Sequence, residues 1–151
     1  MTTNSTNRPD SAWIVPDWPA PARVRALLTT RSGGVSPAPY ASLNLGDHVG
    51  DEARNVAENR ARVAACLPAA PRWLNQVHGT TVLELGLDAV SQLPPEADAA
   101  LARESGQVCA VMTADCLPGL SGQGGVGLRR QLRYGIKTEF CLLYTSPSPR
   151  D

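Results

Sequence analysis

His78, in the run Trp73-Leu74-Asn75-Gln76-Val77-His78-Gly79-Thr80, and Cys116, in Val111-Met112-Thr113-Ala114-Asp115-Cys116-Leu117-Pro118, are the two side chains of this sequence best suited to chemistry. Imidazole and thiolate both ligate zinc or copper, and a catalytic zinc takes three protein ligands and leaves one position open. Two ligands fall short of that set. The same pair also suits a thiolate nucleophile activated by an imidazole, the arrangement of a Cys-His hydrolase. A plain core or surface role for either residue is the bland alternative. Asp115 can serve as a hydrogen-bond acceptor for a ligand, as a general base, or as a solvated turn residue. In a strand its side chain and that of Cys116 point to opposite faces, so a joint role requires a turn, which Leu117-Pro118 permits. Gln76 can orient a substrate or occupy an exposed strand position.

A second constellation is Thr29-Thr30-Arg31-Ser32-Gly33-Gly34-Val35-Ser36. The turn at Gly33 and Gly34 offers backbone N–H groups, and the Arg31 guanidinium can grip a phosphate or carboxylate through two nitrogens. A surface turn with a solvated arginine is the simpler reading. In the third, Asn44-Leu45-Gly46-Asp47-His48-Val49-Gly50-Asp51, the side chain of Asn44 can hydrogen-bond a ribose or base. His48 braces that loop or, folded inward, supplies a further metal ligand. Loops of this composition are usually turns. If only the Arg31 turn binds anything, the chain is a non-catalytic nucleotide-binding module.

These residues need a frame to hold them. Residues 24–30 form an apolar, β-favouring run that ends in Arg31-Ser32-Gly33-Gly34, a strand leading into a turn. Residues 51–67 read as a helix, with Val56, Val63 and Leu67 on one stripe and Glu52, Arg54, Glu58 and Arg62 on the other face. Asp51 suits its N-cap and Pro68 ends it. Residues 72–77, 81–85 and 108–113 are strand candidates, and 87–96, with Pro94-Pro95, is a loop. Cys66 and Cys109 fall in apolar helical and strand positions and are expected to pack in the core. The pattern is that of an α+β domain.

A chain of 151 residues is one ordinary domain, able to bury roughly 70% of its unfolded surface. Fourteen basic and fourteen acidic residues provide no long-range field for nucleic acid or an anionic membrane, so a small-molecule substrate is expected. Residues 1–10 are polar, without the apolar stretch of a signal peptide, and no segment approaches the ~20 apolar residues of a membrane span. Four cysteines (Cys66, Cys109, Cys116, Cys141) without C-x-x-C spacing suit a reducing compartment, so a cytoplasmic location is expected.

Composition changes sharply near the end. Twenty alanines occur up to Ala114 and none in the remaining 37 residues, where about six would follow from the earlier rate. The only lysine, Lys137, and the only phenylalanine, Phe140, also lie there. From Ser121 neither a helical nor a strand period persists. Three parts are therefore expected: an N-terminal segment 1–22, the domain proper over 23–120, and an irregular, non-native or disordered tail over 121–151, from a frameshift or vector sequence.

The stretches TTRSGGVSPAPYASLNLGDHVGD, NVAENR, WLNQVHGTTV, ADAA and VMTADCLP follow one another in an order and spacing that resembles the N-terminal half of the laccase-domain (YfiH-like) family. That family also goes by multicopper polyphenol oxidase, purine nucleoside phosphorylase and peptidoglycan editing factor. The resemblance spans residues 24–120. It implies an α+β fold with mixed β-sheets flanked by helices, and a catalytic zinc held by His78, Cys116 and a second histidine in a segment like H-A-G-W-R-G. No histidine follows His78, and the chain leaves the pattern near Gly119, where the alanines stop.

A four-copper oxidase needs many more histidines than the two present, so dioxygen chemistry is not expected, although copper remains an alternative metal. The resemblance implies phosphorolysis of adenosine, inosine and methylthioadenosine, with deamination of adenosine, in the full-length parent. The fragment itself is expected to be nearly inactive. The implied partners are a purine nucleoside and phosphate. On this reading Arg31, Gly33 and Gly34 take the anion, Asn44 and Gln76 orient the nucleoside, Asp115 moves a proton, and His78 and Cys116 hold the metal.

Overall fold

The computed structural model describes residues 12–17, 21, 23–86, 93–114 and 139–145. Strand β1 (Val24–Thr29) buries its last four residues, Ala26 to Thr29, consecutively, because it is covered on both faces. Helix α1 (Ala53–Ala65) presents Val56, Asn59 and Val63 to the interior. The remaining strands are β2 (Val82–Glu84), β3 (Ala99–Leu101), β4 (Val108–Thr113) and β5 (Glu139–Thr145).

Two sheets result. One is three-stranded in the order β1-β5-β4 with antiparallel pairing throughout, and the other pairs β2 with β3 in parallel. The core joins sheet, helix and loop through Leu27, Leu43, Leu45, Val63, Leu67, Val108 and Ala110, with Trp13, Trp73 and Met112 packed against it. Each such aliphatic side chain contributes roughly 1.5–3 kcal/mol by leaving water. No helix among the described residues is long and apolar enough to cross a membrane.

Several boundaries differ from the sequence reading for identifiable reasons. The helix is two residues shorter at each end than 51–67, and its N-cap position is Glu52, with no side-chain cap. The Asp51 carboxylate instead accepts the Ser36 hydroxyl at 2.6 Å and the Asn44 amide at 3.0 Å. Residues 72–77 do not form a regular strand. They run extended between two neighbours, with a parallel bridge from Arg72 to Cys109 on one side and from Asn75 to Glu96 on the other. One bridge to each side leaves no continuous ladder. The described part of the 87–96 stretch is irregular, as expected, and Glu96 supplies that second bridge. Strand β3, three residues of low β-propensity, was not foreseen, since it exists only through its parallel partner β2. The C-terminal stretch read as irregular contains one ordered element, β5, which lies between β1 and β4.

Candidate functional site

The loop after β1 folds back over α1 around one buried amide. Asn59, fully buried in the apolar stripe of the helix, donates to the Ser36 hydroxyl at 2.9 Å and to the carbonyls of Asn44 at 2.8 Å and Ser42 at 3.2 Å. Its Oδ1 accepts the Val35 N–H at 2.9 Å. Gly34 is demanded by this closeness: a Cβ there would lie 2.1 Å from the Ser42 carbonyl oxygen and 2.5 Å from Asn59 Oδ1. Gly33 has φ of 94°, a left-handed conformation that favours glycine.

This packing uses most of the backbone donors proposed for an anion. Ser32 donates its N–H to Thr30 Oγ1, Gly34 to the Ser42 hydroxyl, Val35 to Asn59 and Ser36 to the Ser42 carbonyl. Arg31 is exposed, and its Nε donates to the Ala41 carbonyl at 2.6 Å. Among the described residues its two terminal nitrogens make no hydrogen bond, so the guanidinium keeps donors that the backbone from Gly34 to Ser36 has spent.

Asn44 is also committed. It is 1% exposed, its amide donates to the Gly46 carbonyl and to Asp51, and its oxygen accepts the Gly46 N–H at 3.0 Å. A side chain so buried and so fully bonded braces the loop and leaves nothing to orient a nucleoside. Burial alone would raise the Asp51 carboxyl, but hydrogen bonds from Ser36, Asn44, the Glu52 N–H and Asn55 outweigh it and hold the pKa below its ordinary value. His48 does not fold inward; its side chain is 69% exposed, with Nδ1 3.7 Å from Asp47.

Arg60 was not singled out in the sequence. Its guanidinium lies 4.2 Å from the centroid of the Trp73 ring, donates through Nε to the Leu45 carbonyl at 2.9 Å, and pairs with Asp47 at 3.3 Å. Burial lowers its pKa and Asp47 acts against that shift. Its place on α1, four residues after Val56 and three before Val63, puts it beside the apolar stripe and is the signal that could have marked it.

His78 sits on a different kind of support. Its φ of 59° is left-handed, a conformation that costs an L-residue roughly 1–2 kcal/mol. The Asp98 carboxylate offsets that cost by accepting the N–H of His78 through Oδ1 and the N–H of Gly79 through Oδ2, each at 2.7 Å. Hydrogen bonds to an ionised acceptor are the strong ones. The imidazole is exposed, and among the described residues its ring makes no hydrogen bond.

Gln76 carries the approach to this turn. Its Nε2 donates to the Met112 carbonyl at 2.9 Å and its Oε1 accepts the Met112 N–H at 2.7 Å. A side-chain amide thus takes the place of a backbone rung on β4, which makes Gln76 a strut rather than an unoccupied substrate contact.

Asp115 and Cys116 lie outside the described residues, as does any meeting of Cys116 with His78. Among the described residues no group of three His, Cys, Asp or Glu side chains is placed to hold a metal ion. Cys109 is buried, as expected for a core thiol, and burial pushes its pKa up to about 11. Cys66 is half-buried at the helix C-cap, where burial also raises it.

Comparison with known proteins places this arrangement. A purine nucleoside phosphorylase from Pseudomonas aeruginosa, PA4543, is 56% identical over 110 residues, covering 73% of this chain and 44% of that protein. The purine nucleoside phosphorylase YfiH of Escherichia coli K12 is 53% identical over 110 residues, covering 72% of this chain and again 44% of its own length. The chain therefore spans less than half the length of these relatives. Among solved structures, the Neisseria meningitidis protein NMB0706 superimposes with a TM-score of 0.64 at 38% identity, over 90% of this chain and 50% of that one. YlmD of Geobacillus stearothermophilus gives 0.57 at 28% identity, over 83% and 46%. The model of the multi-copper polyphenol oxidoreductase laccase family matches residues 25–121, and the chain belongs to that family.

Proposed function

We propose that the protein to which this chain corresponds is a cytoplasmic, zinc-dependent purine nucleoside phosphorylase acting on adenosine, inosine and methylthioadenosine, with adenosine deamination as a second activity. The observation that carries this reading is that relatives more than half identical to this chain over 110 residues bear the name purine nucleoside phosphorylase. In phosphorolysis a phosphate oxygen bonds to the anomeric carbon while the bond from that carbon to the purine nitrogen breaks. The purine leaves with a proton and the sugar leaves as its 1-phosphate.

The geometry around His78 supports a metal ligand there, with Cys116 proposed as its companion. The segment holding His78 runs parallel to β4, and its bridge from Arg72 to Cys109 has an offset of 37 positions. His78 and Cys116 are separated by 38 in the sequence, a spacing close to that offset. An exposed imidazole that makes no hydrogen bond among the described residues suits a ligand. Zinc, when bound, lowers the pKa of a bound water toward neutrality, which suits deamination. Arg31, through its terminal nitrogens, is the proposed grip for phosphate, beside the Gly33 turn, and Asp115 the proposed proton carrier. Asn44 and Gln76 hold the scaffold on which these act.

The test is purine release from adenosine and inosine by the full native-length protein, with and without phosphate. Release that needs phosphate, and that falls by more than about a hundredfold in His78→Ala and Cys116→Ser, is expected for loss of groups that act as a unit. Equal release without phosphate would replace the phosphorylase by a hydrolase.

A further inference from the structure

We infer that Asp98 is a positioning residue for His78, fixing the backbone conformation from which the imidazole reaches a metal ion. The inference rests on the metal site proposed above and goes beyond it by naming the group that aims the ligand. Three observations carry it.

The first is the clamp itself: one carboxylate accepts two consecutive N–H groups, those of His78 and Gly79, at 2.7 Å each. The second is what the clamp holds. His78 is the one non-glycine residue with positive φ among the described residues, so without those bonds its backbone would relax toward the ordinary regions and swing the ring away. The third is that the clamp is anchored. Asp98 donates its own N–H to the Thr81 carbonyl at 3.1 Å, and Ala97, 1% exposed, donates to the Asn75 carbonyl at 3.2 Å. Asp98 also stands immediately before β3, which pairs with β2. The carboxylate is therefore fixed from both sides of the chain, and it fixes the turn in turn.

Such a design leaves the ring unencumbered. Many ligating histidines are oriented through the second ring nitrogen. Here the orienting contact is made to the main chain, so both ring nitrogens stay available. The separation of 20 residues between ligand and clamp also ties the His78 turn to the β2-β3 sheet, which no local sequence signal provides.

The test uses the full native-length protein, metal-free and zinc-loaded, as the parent and as Asp98→Asn, Asp98→Ala and Gly79→Pro. The last removes one donor and leaves the carboxylate in place. Three quantities are read: exchange of the His78 and Gly79 amide protons by NMR in metal-free protein, zinc affinity by competition with a chromophoric chelator, and the thermal midpoint without metal. The expected result is faster exchange at both amides in Asp98→Asn and Asp98→Ala, and zinc affinity weakened roughly 10–100-fold in the order Asp, Asn, Ala. Gly79→Pro is expected to weaken zinc as well, and the folded fraction of each variant, not its midpoint, sets the comparison. Parent-like zinc affinity in folded variants whose two amides exchange rapidly would overturn the positioning role while leaving the metal site standing. A parent that binds no zinc would overturn the metal site, and this assignment with it.

Discussion

The loop above α1 and the turn at His78 both set polar side chains beside glycine, and they spend their polar groups differently. In the first, Asn59, Asn44, Ser36, Ser42 and Asp51 satisfy one another and the backbone, and hardly a donor remains. In the second, a single carboxylate holds the main chain and the imidazole is left exposed. The buried heart of the first region is therefore scaffold, whereas the second leaves a side chain uncommitted among the described residues. Density of polar residues is a poor guide to function; the balance of used and unused donors is a better one.

Substitutions that break the contrast should differ in kind as well as size. Asn59→Ala orphans the Val35 N–H and the Asn44 carbonyl and takes one of two donors from the Ser42 carbonyl, and at about 1–3 kcal/mol for each unsatisfied buried group it should cost about 2 kcal/mol or more. Urea unfolding reads this directly, and a loss below about 1 kcal/mol would mean the loop is not built on that amide. Gly34→Ala comes next, since its methyl group meets backbone rather than a flexible side chain; about 1–3 kcal/mol is expected from overpacking in the same assay. Arg60→Ala removes the contact with Trp73 and the tie to Leu45, for about 1–2 kcal/mol.

Acid titration sharpens the same distinction. The folded pKa of Asp51 lies below its unfolded value, so its contribution is complete above the unfolded pKa of about 3.9 and drains away as pH falls through the folded one. Thermal midpoints of the parent should decline over that window more steeply than those of Asp51→Asn; parallel curves would remove Asp51 from the network. The smallest effect on stability belongs to Arg31→Ala, because the guanidinium has only one bond to lose. It should leave the midpoint within about 0.5 kcal/mol of the parent. Phosphate KM should nevertheless rise in the full-length protein, and an unchanged KM would move the phosphate grip elsewhere.

The apolar stripe of α1 was legible because Val56 and Val63 recur at helical spacing, and β1 and β4 because their runs are apolar and long enough. Asn59 was not, since a polar residue on a buried stripe announces itself only through partners 15 to 24 positions away. Asp51 looked like a helix cap by type and place, yet two side chains from the preceding loop claim its carboxylate. For the site, His78 was marked by its chemistry, whereas Asp98, within the Ala-Asp-Ala-Ala stretch, had no role attached because its partners lie 19 and 20 positions away. Gln76 was read as a substrate contact because its attachment to Met112 spans 36 positions and leaves no periodic trace.

That attachment gives the molecule an unusually discriminating joint. A ladder of peptide groups is indifferent to side-chain identity, but the joint between the 72–78 segment and β4 is made by a carboxamide whose nitrogen faces an oxygen and whose oxygen faces a nitrogen. Exchange of that one NH2 for an oxygen, as in Gln76→Glu, keeps every heavy atom in place and sets two electron-rich oxygens against each other. The alignment of the 72–78 segment with β4 is thus written in the polarity of a single terminal group.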